Sequence, residues 1–406
     1  MSDMSAADRN ALNRTVLLLS CAAFASAVAL RLCDPMLPAL ARSFATTTGS
    51  AAVAVTGIAV AYGCCQLLFG PLGDRYGKFR VIAWAALAST IGALACAASP
   101  SLEWLAVARA INGATTAALI PLSMAWIGDV VPFQDRQATL AKFMSGQIFG
   151  LVSGQALGGL FADTVGWRWA FVFLAALYMT VGILLIRSVR SVALHHQSAA
   201  DGLSKDIGVI ASVRRIIYDR NVRLILMIVF VESMTTFGVL TFIPAYLHQR
   251  FDVSLFLAGV IVACFGLGGL AYTLFARRWV QMLGEGGLAV TGGALLGCAF
   301  LMLVFADSWG WGVVACVTAG LGFYQMHNTL QTRATQMAPQ ARGTAVSMFA
   351  ACFFLGQASG VALGADTVDR FGSQWLFAVS AAVLPILGWS FRRLLRNKKT
   401  PAQGRG

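Results

Sequence analysis

"FGPLGDRYGKFR", residues 69–80, sets Asp74, Arg75, Lys78 and Arg80 among three glycines and between two long apolar runs. A soluble protein could use such a patch as a nucleotide loop, and a membrane protein as a tight turn between two spans. Composition decides between them. Of 406 residues, 58% are hydrophobic and only 12% charged, against about 25% charged in ordinary globular domains. A surface so poor in polar groups requires lipid as its solvent. Apolar runs long enough to cross a bilayer fall at 15–39, 51–71, 81–99, 103–127, 142–162, 169–187, 223–247, 256–276, 287–306, 309–331, 343–365 and 374–391. Continuous runs, without ten-residue alternation, predict helices and not a barrel.

The net charge of +13 is a matter of topology, and a nucleic-acid partner is not expected. With the N-terminus cytoplasmic, 24 of the 30 Lys and Arg fall in interior segments and four outside (Arg42, Arg168, Arg250, Arg370). That bias places both termini inside. The basic stretch "RRLLRNKK", 392–399, reads as an anchor facing anionic lipid. The nine cysteines all lie in apolar runs without CxxC or Cys/His spacing, so neither disulfides nor zinc are predicted. A phosphate-cradling G-x-x-x-x-G-K-[ST] motif does not occur, and no cofactor is expected.

The longest polar interruption, 188–222, divides the chain. The expected domains are a six-helix bundle over 1–187, a cytoplasmic linker over 188–222, a second six-helix bundle over 223–391 and a basic tail over 392–406. The halves match at an offset of 206: Arg136/Arg342, Phe143/Phe349, Gly150/Gly356, Gly154/Gly360, Gly158/Gly364, Asp163/Asp369, Gly166/Gly372 and Trp169/Trp375 are identical, among others. Such a repeat predicts parallel bundles with a substrate site at their interface. In the opening stretch Gly70, Gly73 and Gly77 would let the chain reverse. Asp74 would then sit at the start of the next helix, where the macrodipole favours a carboxylate.

"GPLGDRYGKFR" resembles the G-x-L-a-D-r-x-G-r-k signature of the major facilitator superfamily, in the loop where that family carries it. "LAVARAINGATTAA", 105–118, resembles its helix-4 pattern, with Arg109 as the arginine and Gly113 as the glycine. "GLVSGQALGG", 150–159, is similar to the helix-5 antiporter pattern G-x-x-x-G-P-x-x-G-G, with Gln155 where proline is expected, and "DPMLPALARSF", 34–44, is similar to the end of helix 1 in the twelve-helix drug:proton antiporters. The resemblance implies an all-α membrane protein of twelve transmembrane helices in two six-helix bundles. It implies a cytoplasmic gate loop in Gly70, Asp74, Arg75, Gly77 and Arg80, and a helix-5 glycine motif in Gly150, Gly154, Gln155, Gly158 and Gly159. The second-half counterpart, "ARRWVQMLGEGG" at 276–287, lacks the aspartate.

Ionisable residues inside spans are functional hypotheses. Arg31 and Asp34 share a helix face at i, i+3, and depth along the helices allows Asp34 to reach Arg109. The contact is either a structural ion pair or a coupled carboxylate. Glu232, in "FVESMTTFG", has no cation nearby in sequence and is expected to take a proton when buried. Asn112, His327 and Asn328 are candidate cavity residues, with Gln325 beside them, and Tyr62, Trp126, Phe237 and Tyr246 would suit an apolar substrate. The expectation is a proton-coupled exporter of small amphipathic or toxic compounds, monomeric, in the cell inner (plasma) membrane, with Asp34 and Glu232 carrying or sensing protons. An uptake symporter or carrier for a sugar or organic anion is the alternative.

Overall fold

The computed structural model describes residues 6–195, 218–337 and 342–397, and every regular element among them is helical. The first half holds α1 (Ala6–Arg31), α2 (Leu37–Ser43), α3 (Thr48–Ala51), α4 (Val53–Tyr76), α5 (Lys78–Ala97), α6 (Leu102–Thr116), α7 (Leu119–Val130), α8 (Phe133–Asp163) and α9 (Trp167–His195). The second holds α10 (Arg220–Phe251), α11 (Leu255–Ala263), α12 (Phe265–Val304), α13 (Gly310–Gln336), α14 (Arg342–Phe371) and α15 (Ser373–Asn397). Nine helical segments among the described residues are long and apolar enough to cross a membrane. Most of the 188–222 linker and the end of the basic tail lie outside the described residues.

Local chemistry explains where these helices start and stop. Hydroxyl or carboxylate side chains of Thr47, Ser101, Asp219 and Ser254 cap α3, α6, α10 and α11 by accepting from free backbone N–H groups. Pro35 and Pro38 break the first run. Past Arg31 the chain tightens into a 3-10 turn over Asp34–Met36 before α2 begins. Gly166 and Gly372, matched at the offset of 206, both take positive φ (100° and 87°) at the ends of α8 and α14.

Three expectations are corrected. The chain stays helical through Gly70, Pro71 and Gly73, and only Gly77, at φ 89°, reverses it. Asp74 is therefore in the last turn of α4, where the macrodipole disfavours a carboxylate, and not at the start of α5. Lys78 offsets this with its Nζ 3.5 Å away. The segment 277–286, read as a loop, is helical on both sides of a break at Gly284 (φ 62°). The fourth apolar run is also split, at Ala117–Ala118.

Buried residues gather into one cluster drawn almost wholly from 19–185 and two drawn from 222–391. The glycines of the helix-5 pattern permit close approaches. A Cβ on Gly150 or Gly154 would meet the carbonyls of Phe24 and Val28 on α1, and one on Gly356 or Gly360 those of Phe230 and Met234 on α10. Each second-half partner is 206 residues from its first-half equivalent. Missing side chains let these helices touch backbone to backbone. Large apolar residues such as Ile91 and Leu274, each 70% exposed, cover the outside, as a surface in lipid requires.

Contacts between halves gather at the end of the bundle away from the described N- and C-ends, where α2, α8 and α10 finish and α3 and α11 begin. There Gln249 Nε2 donates to Thr48 Oγ1 at 3.2 Å, Thr47 Oγ1 to Asp369 at 2.6 Å, and the Phe256 N–H to Asp163 at 2.7 Å.

Candidate functional site

The 3-10 turn after α1 delivers Asp34 into the seam between the halves, where it is wholly buried. One of its oxygens, Oδ2, accepts from Arg31 Nη1 at 3.4 Å and from Gln155 Nε2 at 3.0 Å. The residue that replaces the pattern's proline thus supplies an amide to the carboxylate. Arg31 reaches across the seam, its Nη2 donating to Gln357 Oε1 on α14 at 3.4 Å and its guanidinium lying 4.3 Å over the ring of Phe237 on α10. Asp34 Oδ1, Gln155 Oε1 and Gln357 Nε2 are buried without a protein partner. A buried polar atom left so costs about 1–3 kcal/mol, so these three atoms favour a further polar partner.

A second buried carboxylate lies in the second half. Glu232 on α10 is wholly buried, and its Oε2 is 2.9 Å from His327 Nδ1 on α13. Its Oε1 and the neighbouring hydroxyls of Ser233 and Thr236 have no partner. The His327 ring stacks on Phe323 at 4.7 Å and meets Phe353 at 5.0 Å. Phe237 in turn packs edge-on against both phenylalanines, at 5.2 and 5.3 Å. An unbroken aromatic layer therefore joins the Arg31–Asp34 pair to the Glu232–His327 pair, and Phe354 carries it to Tyr62 in the first half. Rings of this kind offer stacking and cation–π contacts to a flat or cationic guest.

Several sequence expectations are corrected by this geometry. Glu232 has a basic partner, 95 residues away in the chain. Arg109 makes no ion pair with Asp34. Fully buried, it donates from Nε to the Ala54 carbonyl at 3.0 Å and from Nη2 to the Ala29 carbonyl at 2.8 Å, tying α6 to α4 and α1 through the backbone. Asn112 is wholly buried: its Nδ2 donates to the Ser89 carbonyl at 3.1 Å, Gly92 packs against its backbone, and its Oδ1 has no partner. Asn328 faces the Tyr272 hydroxyl, and Gln325 accepts from Thr291 at 2.8 Å. Trp126 packs on Phe79, and the Tyr246 hydroxyl donates to the Leu303 carbonyl, so of the four suggested aromatics Tyr62 and Phe237 belong to the layer. Gln357, Phe323 and Phe353 were missed. The amide of Gln357 inside "CFFLGQASG" was a usable signal, and the phenylalanines had none beyond their number.

At the end near the termini, Lys78 Nζ bridges Asp74 (3.5 Å) and Asp129 on α7 (2.6 Å). Arg75, Gly70, Gly77 and Arg80 are exposed around it. The second half, despite lacking the aspartate, has its own pair, Arg333 at the end of α13 on Glu285, with Nε at 2.8 Å. The order of signs along the chain is inverted: the base, Lys78, comes before its acid in the first half, and the acid, Glu285, before its base in the second.

Residues 19–358 match the family described as Major Facilitator Superfamily. The "Uncharacterized MFS-type transporter YwfA" of Bacillus subtilis (strain 168) is 23% identical over 88% of this chain and 85% of that protein. The "Multidrug export protein EmrB" of Escherichia coli (strain K12) is 27% identical over 42% of this chain and 34% of its own length. Among solved structures, that of the nucleoside transporter NupG superposes with a TM-score of 0.77 at 13% identity, over 94% of this chain and 99% of the other.

Proposed function

The chain belongs to the major facilitator superfamily, a transporter and not an enzyme, and we propose that it is a proton-coupled exporter of small amphipathic or toxic compounds. In this reading twelve helices form two six-helix bundles, 1–187 and 223–391, descended from one repeat, and they rock about the seam to alternate access. The linker 188–222, the tail 392–406 and both termini face the cytoplasm of a bacterial inner membrane. Contacts between halves at the far end then make this the inward-facing state. The partial likeness to EmrB supports export.

The observation that carries the reading is the aromatic layer bounded by two buried carboxylates, each with one oxygen free. Planar apolar cargo would lie on the rings of Phe237, Phe323 and Phe353. A proton arriving at Glu232 removes the negative charge that His327 faces and loosens the tie between α10 and α13. A proton at Asp34 frees Arg31, whose contacts cross the seam to Gln357 and Phe237. Cargo and proton would then compete for one set of groups, which is the thermodynamic basis of exchange. The Asp74–Lys78–Asp129 cluster would latch the end near the termini when that side closes.

Proteoliposomes with an imposed pH gradient, screened with a panel of cationic, neutral and anionic amphipaths, test the proposal. Glu232→Gln keeps a hydrogen-bond acceptor for His327 and removes the proton step, so gradient-driven flux should fall to the rate of facilitated diffusion. Full pH-driven transport in both Glu232→Gln and Asp34→Asn would remove the coupling mechanism. Uphill uptake in place of export would establish the sugar or organic-anion alternative. A cysteine at Ser198, labelled in intact cells by an impermeant thiol reagent, would reverse the orientation.

A further inference from the structure

Asp163 and Asp369, matched at the offset of 206, play no part in the site above. Each ends a glycine-patterned helix of one half and meets the start of a helix in the other. Asp369 Oδ1 accepts from the Gly49 N–H at 3.0 Å, and its Oδ2 from Thr47 Oγ1 at 2.6 Å. Asp163 Oδ2 accepts from the Phe256 N–H at 2.7 Å. Thr47 caps α3 and Ser254 caps α11, so Gly49 and Phe256 are both the second residue after the cap. The two carboxylates therefore hold equivalent N–H groups at equivalent helix starts.

The backbone approach is matched as well. One turn before Asp163, a Cβ on Gly159 would strike the Leu255 carbonyl. One turn before Asp369 stands Ala365, and there the glycine is on the other partner: a Cβ on Gly49 would strike the Ala365 carbonyl. Ala365 is 206 residues from Gly159. We propose that Asp163 and Asp369 form a paired latch that holds the end opposite the termini shut, and that both carboxylates leave their helix starts each time that end opens.

Physical chemistry suits them to a reversible latch. A carboxylate at a helix start gains from the free N–H groups there. Both acids are exposed, and neither has a cation within ion-pair distance among the described residues. On opening they pass into water without stranding a buried opposite charge, unlike the Arg31–Asp34 pair. The free helix starts keep their own caps, Thr47 and Ser254. The latch can therefore bias the equilibrium between states without fixing it.

The latch rests on the alternation proposed above but not on cargo, coupling ion or orientation. Hydrogen–deuterium exchange of the full chain in lipid nanodiscs would follow peptides over 48–56 and 255–263, with peptides over 78–97 as the control. A charge-assisted hydrogen bond corresponds to about a tenfold population change. Asp163→Ala and Asp369→Ala should each raise exchange about tenfold in both far-end peptides, and the double variant about a hundredfold, with the control unchanged. Response of both peptides to either single variant is the signature of one shared gate. Asp→Asn variants, which keep an oxygen acceptor and insert where alanine variants fail, should show the same pattern at smaller size. Wild-type protection in the double variant overturns the latch. So does a rise spread evenly along the chain, because that is loss of fold stability, and so does a response confined to the mutated side.

Discussion

Replacing Asp34 with asparagine separates two arginines as partners of one buried carboxylate. Arg31 Nη1 lies 3.4 Å from Asp34 Oδ2. At that distance two unit charges attract by about 5 kcal/mol at an effective dielectric of about 20. Truncating one member of a buried pair costs about 3–5 kcal/mol. The side-chain oxygen of asparagine still accepts a hydrogen bond, so the loss should fall at the lower end, about 3 kcal/mol, or about two factors of ten in the folded population. Most of it is the penalty of leaving Arg31 uncompensated, so Arg31→Gln in the same chain should recover about 2 kcal/mol. Arg109→Ala should recover none, because Arg109 is held by two backbone carbonyls at 2.8 and 3.0 Å and not by Asp34. The assay is thermal unfolding of the detergent-solubilised protein by tryptophan fluorescence, all variants at one heating rate, since irreversible midpoints depend on rate. Equal rescue by Arg109→Ala and Arg31→Gln would refute the assignment. So would an Asp34→Asn midpoint indistinguishable from wild type.

Asp74→Asn should leave the unfolding midpoint nearly unchanged, because its ion pair with Lys78 is 66% exposed on the acid side and such pairs contribute about 0–1 kcal/mol. Transport at normal membrane levels should fall, and wild-type turnover would reduce the loop to a topology signal. Gly154→Ala sets a Cβ 2.9 Å from the Val28 carbonyl and 3.2 Å from Arg31 Cβ, and overpacking of that kind costs about 1–3 kcal/mol. Its midpoint should drop and the Arg31 contacts should shift, so unchanged stability would mean that α1 and α8 are not closely packed. Glu285→Arg should destabilise by placing two cations together, and adding Arg333→Glu should restore the midpoint. No recovery in the double variant would show that the pair does not act as a unit.

Element type was legible because apolar length alone dictates it in lipid: the run 223–247 lies inside α10 and 142–162 inside α8. Helix ends were less so. Glycines mark where a chain can turn, not where it does, and Gly70 and Gly73 stay helical because neither requires a positive φ while Gly77 does. Arg31, Asp34 and Glu232 were identified as intramembrane charges, and the Arg31–Asp34 contact followed from a spacing of three. Glu232–His327 and Asp34–Gln155 join helices far apart in sequence, and their contact depends on helix rotation, which hydropathy does not carry. Arg109 was misassigned for a related reason. Depth placed it near a carboxylate, but its donors found carbonyls first.

The sign inversion between Lys78–Asp129 and Glu285–Arg333 bears on how such a chain diverges. Exchanging the signs within either pair takes two substitutions, since the first step sets like charges face to face. An accessible route runs through a neutral side chain on one partner and then a charge on the other. Once the signs differ, the loops are no longer interchangeable parts. A chimera that copies 70–80 into the second half would bring Lys78 against Arg333, and only transplanting the α7 end as well would keep the graft neutral. Lys78 set against Arg333, or Glu285 against Asp129, would meet a like charge, so each ion pair favours the partner in its own half.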